Sequence, residues 1–97
     1  MRVYISGPIS DVPEYDSLVA FNKAENRLIQ AGCKVINPRL TSHWGLSWET
    51  YMQIAQDILY SGEVDAILLL KGWEKSKGAT IEKMWADAKG IQIVREV

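Results

Sequence analysis

The chain has 97 residues, with 11 Lys+Arg against 12 Asp+Glu and a formal net charge of -1. A composition of 47% hydrophobic and 24% charged residues is that of a small globule and excludes a disordered chain. Near-neutral charge speaks against polymeric nucleic acid or an anionic membrane surface as partners, since both need a net basic footprint.

In chain order, Val3-Tyr4-Ile5 is a short β-rich run that follows Met1-Arg2 directly, with no signal-peptide layout. It ends at the turn signal Ser6-Gly7-Pro8. Asp16 is placed to cap a first helix, in which Leu18, Phe21, Ala24 and Leu28 keep helical spacing and Gly32 is the stop. Cys33 is the one cysteine, which excludes an internal disulfide and suits a reducing cytoplasm. Lys34-Val35-Ile36 predicts a second strand, closed by Asn37-Pro38. From Arg39 to Leu46 no period emerges, so a loop is expected, carrying Trp44 and the one histidine, His43. One His and one Cys cannot make a standard metal site.

Ser47 is placed to cap a second helix with the stripe Tyr51, Met52, Ala55, Ile58 and Leu59, ended by Gly62. Ala66 to Leu70 lacks polar alternation and predicts a strand buried on both faces; it is too short to span a bilayer. A loop from Lys71 to Gly78 leads into a third helix with Ile81, Met84, Trp85 and Ala88 facing inward. Gly90 ends it, and Ile91 to Val94 is a last strand. This β-α-β-α-β-α-β alternation predicts a single three-layer α/β domain over residues 1–97, with a four-stranded parallel sheet of order 2-1-3-4, flavodoxin- or Rossmann-like.

Such a sheet binds ligands beyond the carboxyl ends of its strands, where the strand order reverses. The loops there are Ser6 to Glu14 and Lys71 to Gly78. Neither is a dinucleotide fingerprint or a P-loop, since the glycine spacing is wrong in both. The second still has the physics of an anion site. Ser76, Lys77 and Gly78 stand just before the third helix, whose free N–H groups favour a phosphate, and Lys75 and Lys77 add positive charge. An ordinary helix start with solvated lysines explains the same residues.

Glu82 is expected in the first turn of that helix, where it either complements the dipole or aims a carboxylate at an electrophilic sugar carbon. Asp57 either accepts from a sugar hydroxyl or a base, or is a solvated helix residue. Asp65 reads as a strand-entry residue. His43, Trp44 and Trp48 either wall a base-stacking pocket or pack over the sheet edge, with packing favoured for Trp48. Trp73, in the site loop, is the better stacking candidate.

The ordered set Tyr4-Ile5-Ser6-Gly7-Pro8-Ile9, then Asp57, then the Asp65 strand, then Ser76-x-Gly78-x-x-x-Glu82 resembles the nucleoside 2-deoxyribosyltransferase superfamily and its nucleotide N-glycosidase branch. Within it, Tyr-Ile-Ser-Gly-Pro-Ile near the start and Gly-Trp-x-x-Ser-x-Gly-Ala near the third helix are similar to a small DUF4406-like group of uncharacterised phage and bacterial domains. The resemblance implies that Glu82 is a nucleophile attacking C1′. It implies that Asp57 positions or protonates the leaving base, and that Tyr4 orients the nucleophile. Gly7, Pro8 and Ile9 would border the sugar, while Ser76, Lys77 and Gly78 would hold a 5′-phosphate. Ser76 stands where transferases acting on free nucleosides tend to have Asp, and a hydroxyl beside helix N–H groups suits a phosphate better than a carboxylate does.

After Glu82 come Lys83-Met84-Trp85-Ala86, where the family more often has Leu/Ile-Gly-x-Ala, a departure that sets Trp85 against the sugar pocket. The end at Val97 lacks the fifth strand of larger relatives, in which a neighbouring subunit often completes the site, so a homodimer or higher homo-oligomer is expected. The expected activity is cleavage or transfer of the N-glycosidic bond of a (deoxy)nucleoside 5′-monophosphate, with no metal or organic cofactor. The alternative is a non-catalytic nucleotide-binding or sensor module, or a structural dimer.

Overall fold

A computed structural model describes residues 1–10 and 12–96. Asp11, inside the expected first site loop, and Val97, the end of the expected domain, lie outside the described residues. The strands are β1 (Arg2–Ser6), β2 (Lys34–Ile36), β3 (Ala66–Leu69) and β4 (Gln92–Arg95). The helices are α1 (Glu14–Gln30), α2 (Trp48–Tyr60) and α3 (Lys77–Ala88), with short 3-10 helices at Pro38–Trp44 and Trp73–Lys75. All strand pairs are parallel, in the order β2-β1-β3-β4, which is the expected α/β topology. No helix among the described residues is long and apolar enough to cross a membrane.

The two faces of the sheet carry separate cores. Val3, Ile5, Ala66, Leu68 and Leu70 pack with Phe21 and Ala24 of α1. Tyr4, Ile67 and Leu69 point the other way, onto Ala55 and Leu59 of α2 and Ala86 of α3. Ile5, Ile67 and Leu69 are fully buried, and burial of such a side chain is worth about 1.5–3 kcal/mol each. Strand β1 thus sends Tyr4 and Ser6 toward the layer of α2 and α3, and alternation along it sets up the site.

Three local expectations are corrected. Helix α1 begins after Pro13, with no side-chain cap, so Asp16 lies inside its first turn. Residues 39–46 are mostly a 3-10 helix, with Pro38 at its start and the Asn37 side chain accepting from the Arg39 N–H. A period of three residues escapes a search for α-helical or strand spacing. In α3 the buried row is Ala79, Glu82 and Ala86, whereas Met84 is exposed. Trp85 packs on the core as expected, but Ala88 is exposed like Met84, and an acid takes a core-facing position that apolar periodicity does not count. Asp65 is a strand-entry residue as expected: its carboxylate accepts from the Arg2 N–H at 2.7 Å.

Candidate functional site

Beyond the carboxyl ends of β1 and β3, on the side of α2 and α3, lies a cleft of about 330 Å3. Glu82 forms its inner wall and is only 8% exposed. The Tyr4 hydroxyl donates to Glu82 Oε2 and the Ser6 hydroxyl to Oε1, both at 2.6 Å. Both donors are buried strand residues, so the carboxyl group is clamped by rigid backbone on two sides. Burial pushes the Glu82 carboxyl above its ordinary 4.5, while the hydroxyls of Ser6 and Tyr4 pull it back toward ionisation. The Tyr4 phenol is pushed well above its ordinary 10.0, by burial first and then by the neighbouring carboxylate. It therefore stays protonated and remains a donor.

Glu82 sits in the second turn of α3, not the first. Ser76 is the cap: its hydroxyl oxygen accepts from the Ala79 N–H at 3.2 Å, which starts the helix at Lys77. Dipole complementation falls off within the first turn, so it does not account for Glu82. The same cap places Ser76, Lys77 and Gly78 at the helix start, and all three line the cleft. Glu82 follows six residues after Ser76. At 1.5 Å per residue that is about 9 Å along the helix.

Tyr4, Gly7, Ile9, Ser76, Lys77, Gly78 and Glu82 are thus brought together, while Pro8 faces a separate groove beside α1. A Cβ added to Gly7 would lie 2.9 Å from Leu70 Cβ, closer than real contacts allow. We expect Gly7→Ala to lower unfolding stability by about 1–3 kcal/mol, the usual cost of overpacking, read from urea denaturation midpoints.

Asp57 is not brought in. It is exposed, accepts from the Gln53 amide at 3.0 Å, and borders a different depression with Arg2 and Glu63. Helix α2 points its first turns at the cleft and carries Asp57 past it. Trp73 packs against the core with Arg95 over its ring, and Trp44, 57% exposed, stands edge-on to His43; neither reaches the cleft. Trp85 packs on the core and lines a shallow depression between α2 and α3, so it does not crowd Glu82. Trp48 does line the cleft, contrary to the packing role favoured for it, with the Lys77 ammonium 4.8 Å over its ring.

Ser6 bonds to Glu82, and Tyr51 and Met52 line the cleft, though the sequence singles out none of the three as a candidate. Ser6 reads as part of a turn signal, although period-2 alternation from Tyr4 places it on the same face. Tyr51 belongs to the apolar stripe expected for the second helix. Its hydroxyl donates toward the carbonyl oxygens of Thr41 and Ser42 and accepts from the Leu46 N–H, tying the 3-10 segment down as a wall. Arg39, in that segment, is buried with its guanidinium 3.9 Å from Glu14. No group of three or more His, Cys, Asp or Glu side chains suited to a metal occurs among the described residues.

No match was found among curated proteins or among solved structures. A family model described as Domain of unknown function (DUF4406) matches residues 1–95, and the chain belongs to that family.

Proposed function

We propose that in this DUF4406 protein the cleft binds a (deoxy)nucleoside 5′-monophosphate and that Glu82 cleaves its N-glycosidic bond. The observation that carries this reading is one buried carboxylate, fixed through both oxygens, sharing a cleft with a capped helix start. The volume lies at the lower end of the roughly 300–1,000 Å3 usual for small-molecule sites. A phosphate at the N–H groups of Lys77 and Gly78 would be separated from Glu82 by about the span of a sugar and its 5′ substituent. The Ser76 hydroxyl keeps its proton free to donate to that phosphate, since only its oxygen is used by the cap.

The proposed chemistry runs through that carboxylate. A Glu82 oxygen forms a bond to C1′ as the bond from C1′ to the base nitrogen breaks, and the electron pair leaves on the base. The base takes a proton from water, because Asp57 lies outside the cleft. Water or a second base then attacks C1′ on the opposite face, and Glu82 is released as the carboxylate. Water makes the protein a hydrolase, and a base makes it a transferase. The resemblance to the nucleoside 2-deoxyribosyltransferase superfamily supports this assignment, and so does the hydroxyl pair on Glu82.

The test is incubation with deoxynucleoside and ribonucleoside monophosphates and the matching nucleosides, with and without an acceptor base, followed by chromatography of the free base. Release from monophosphates by wild type, and none by Glu82→Gln, is the expected result. Equal release from nucleosides would remove the phosphate assignment. Binding without release would make the domain a nucleotide-binding module.

A further inference from the structure

We propose that the open groove beside α1 is a homodimer interface, filled by α1 of a second copy lying antiparallel. All-parallel sheets occur almost only with both faces covered. Here α2 and α3 cover one face, but among the described residues α1 is the only helix on the other. Leu68 belongs to the α1-side core, and its register partner Val94 points the same way yet is 37% exposed. Between α1 and the ends of β1 and β3 runs a groove of about 510 Å3, larger than the cleft around Glu82 and sharing no lining residue with it.

The occupant is identified by α1 itself. Phe21 and Ala24 face the core, while Asp16, Val19, Ala20, Lys23 and Arg27 form a second stripe along the groove. Its middle is small, so another helix can approach closely. Its ends are opposite in charge: Asp16 near the start, Lys23 and Arg27 toward the finish. Arg27 is already paired with Glu96, whereas Asp16 and Lys23 have no ion-pair partner among the described residues. An antiparallel two-fold centred between Val19 and Ala20 sets Asp16 of each copy against Lys23 of the other. A parallel pairing would instead face like charges, which is unfavourable. The same contact would cover Tyr15, which is 73% exposed at the groove's edge. Helix α1 has 17 residues, about 25 Å at 1.5 Å per residue, so the contact runs nearly the width of a molecule measuring 29 × 27 × 24 Å.

Sedimentation equilibrium of the full chain tests this, with circular dichroism confirming that each variant folds. Wild type is expected to dimerise at micromolar concentration. Asp16→Lys and Lys23→Glu should each raise the dimer dissociation constant by about tenfold or more, because each replaces two attractive pairs by two repulsive ones. The double variant Asp16→Lys/Lys23→Glu should return it to near the wild-type value, since the exchanged charges face each other again. A wild type that stays monomeric at high micromolar concentration overturns the proposal. So does a dimer that the single variants leave unchanged, or one that the double variant fails to restore. None of these outcomes depends on whether the cleft cleaves nucleotides.

Discussion

Glu82→Gln is expected to reduce base release by about three orders of magnitude or more, the scale seen when a covalent nucleophile is removed, while the fold becomes more stable at neutral pH. The two effects share one cause. The carboxyl group is buried behind Tyr4 and Ser6, and desolvation lifts its pKa above the ordinary 4.5. A carboxyl whose pKa is higher folded than unfolded holds its proton more tightly in the native state. The stability gained that way is complete below the unfolded value and is lost as pH rises through the folded one. Gln does not titrate, and its amide keeps both a donor and an acceptor for the two hydroxyls. The thermal stability of the variant, measured from acid to neutral pH, should therefore overtake that of wild type as pH rises. A variant that loses stability relative to wild type along the same path would show that the native state favours the charged carboxylate. A loss of activity with a gain in stability would mark Glu82 as a group kept for chemistry at a cost to the fold.

What the amino-acid sequence made legible was the alternation of elements and the crevice, and the reasons are physical. Ala66 to Leu70 is apolar without alternation because β3 is covered on both faces, and the stops at Gly32, Gly62 and Gly90 coincide with φ values of +87°, +85° and +70°. Tyr4 stands out only through the resemblance of the ordered motifs, whereas Glu82 and the Ser76-Lys77-Gly78 start also follow from their place on that topology. What stayed hidden depended on side-chain direction. Ser6, and the core-facing direction of Glu82, rest on polar residues at buried positions, where apolar periodicity has no weight. Tyr51 reads as an ordinary member of an amphipathic helix, and for Trp48 packing over the sheet edge is favoured, because the wall that the 3-10 segment sets opposite them has no signature in the spacing. Asp57 lies away from the cleft for the converse reason: its place on α2 is legible, but whether that turn reaches the crevice depends on how the helix runs relative to the sheet.

Removing either hydroxyl that clamps Glu82 gives the second large effect. Tyr4→Phe deletes the donor to Oε2 and Ser6→Ala the donor to Oε1, while burial of the carboxyl group remains. With one of the two stabilising hydrogen bonds gone, desolvation goes less opposed and the pKa of Glu82 rises further. A reaction that needs the ionised nucleophile then loses activity from the acid side. The acid limb of the kcat/KM profile should move to higher pH in each single variant, and further in the double variant. At a fixed neutral pH the loss should be about 10- to 100-fold, since a hydrogen bond to a charged group is worth about 1.5–3 kcal/mol. Tyr4 itself contributes no alkaline limb near neutrality, because its phenol is held well above 10.0. A uniform drop in rate with an unmoved acid limb would assign the hydroxyls to shape alone. A displaced limb that lets activity recover at higher pH would show that Tyr4 and Ser6 act by setting the charge on Glu82, which is what their placement on β1, one on each carboxylate oxygen, equips them to do.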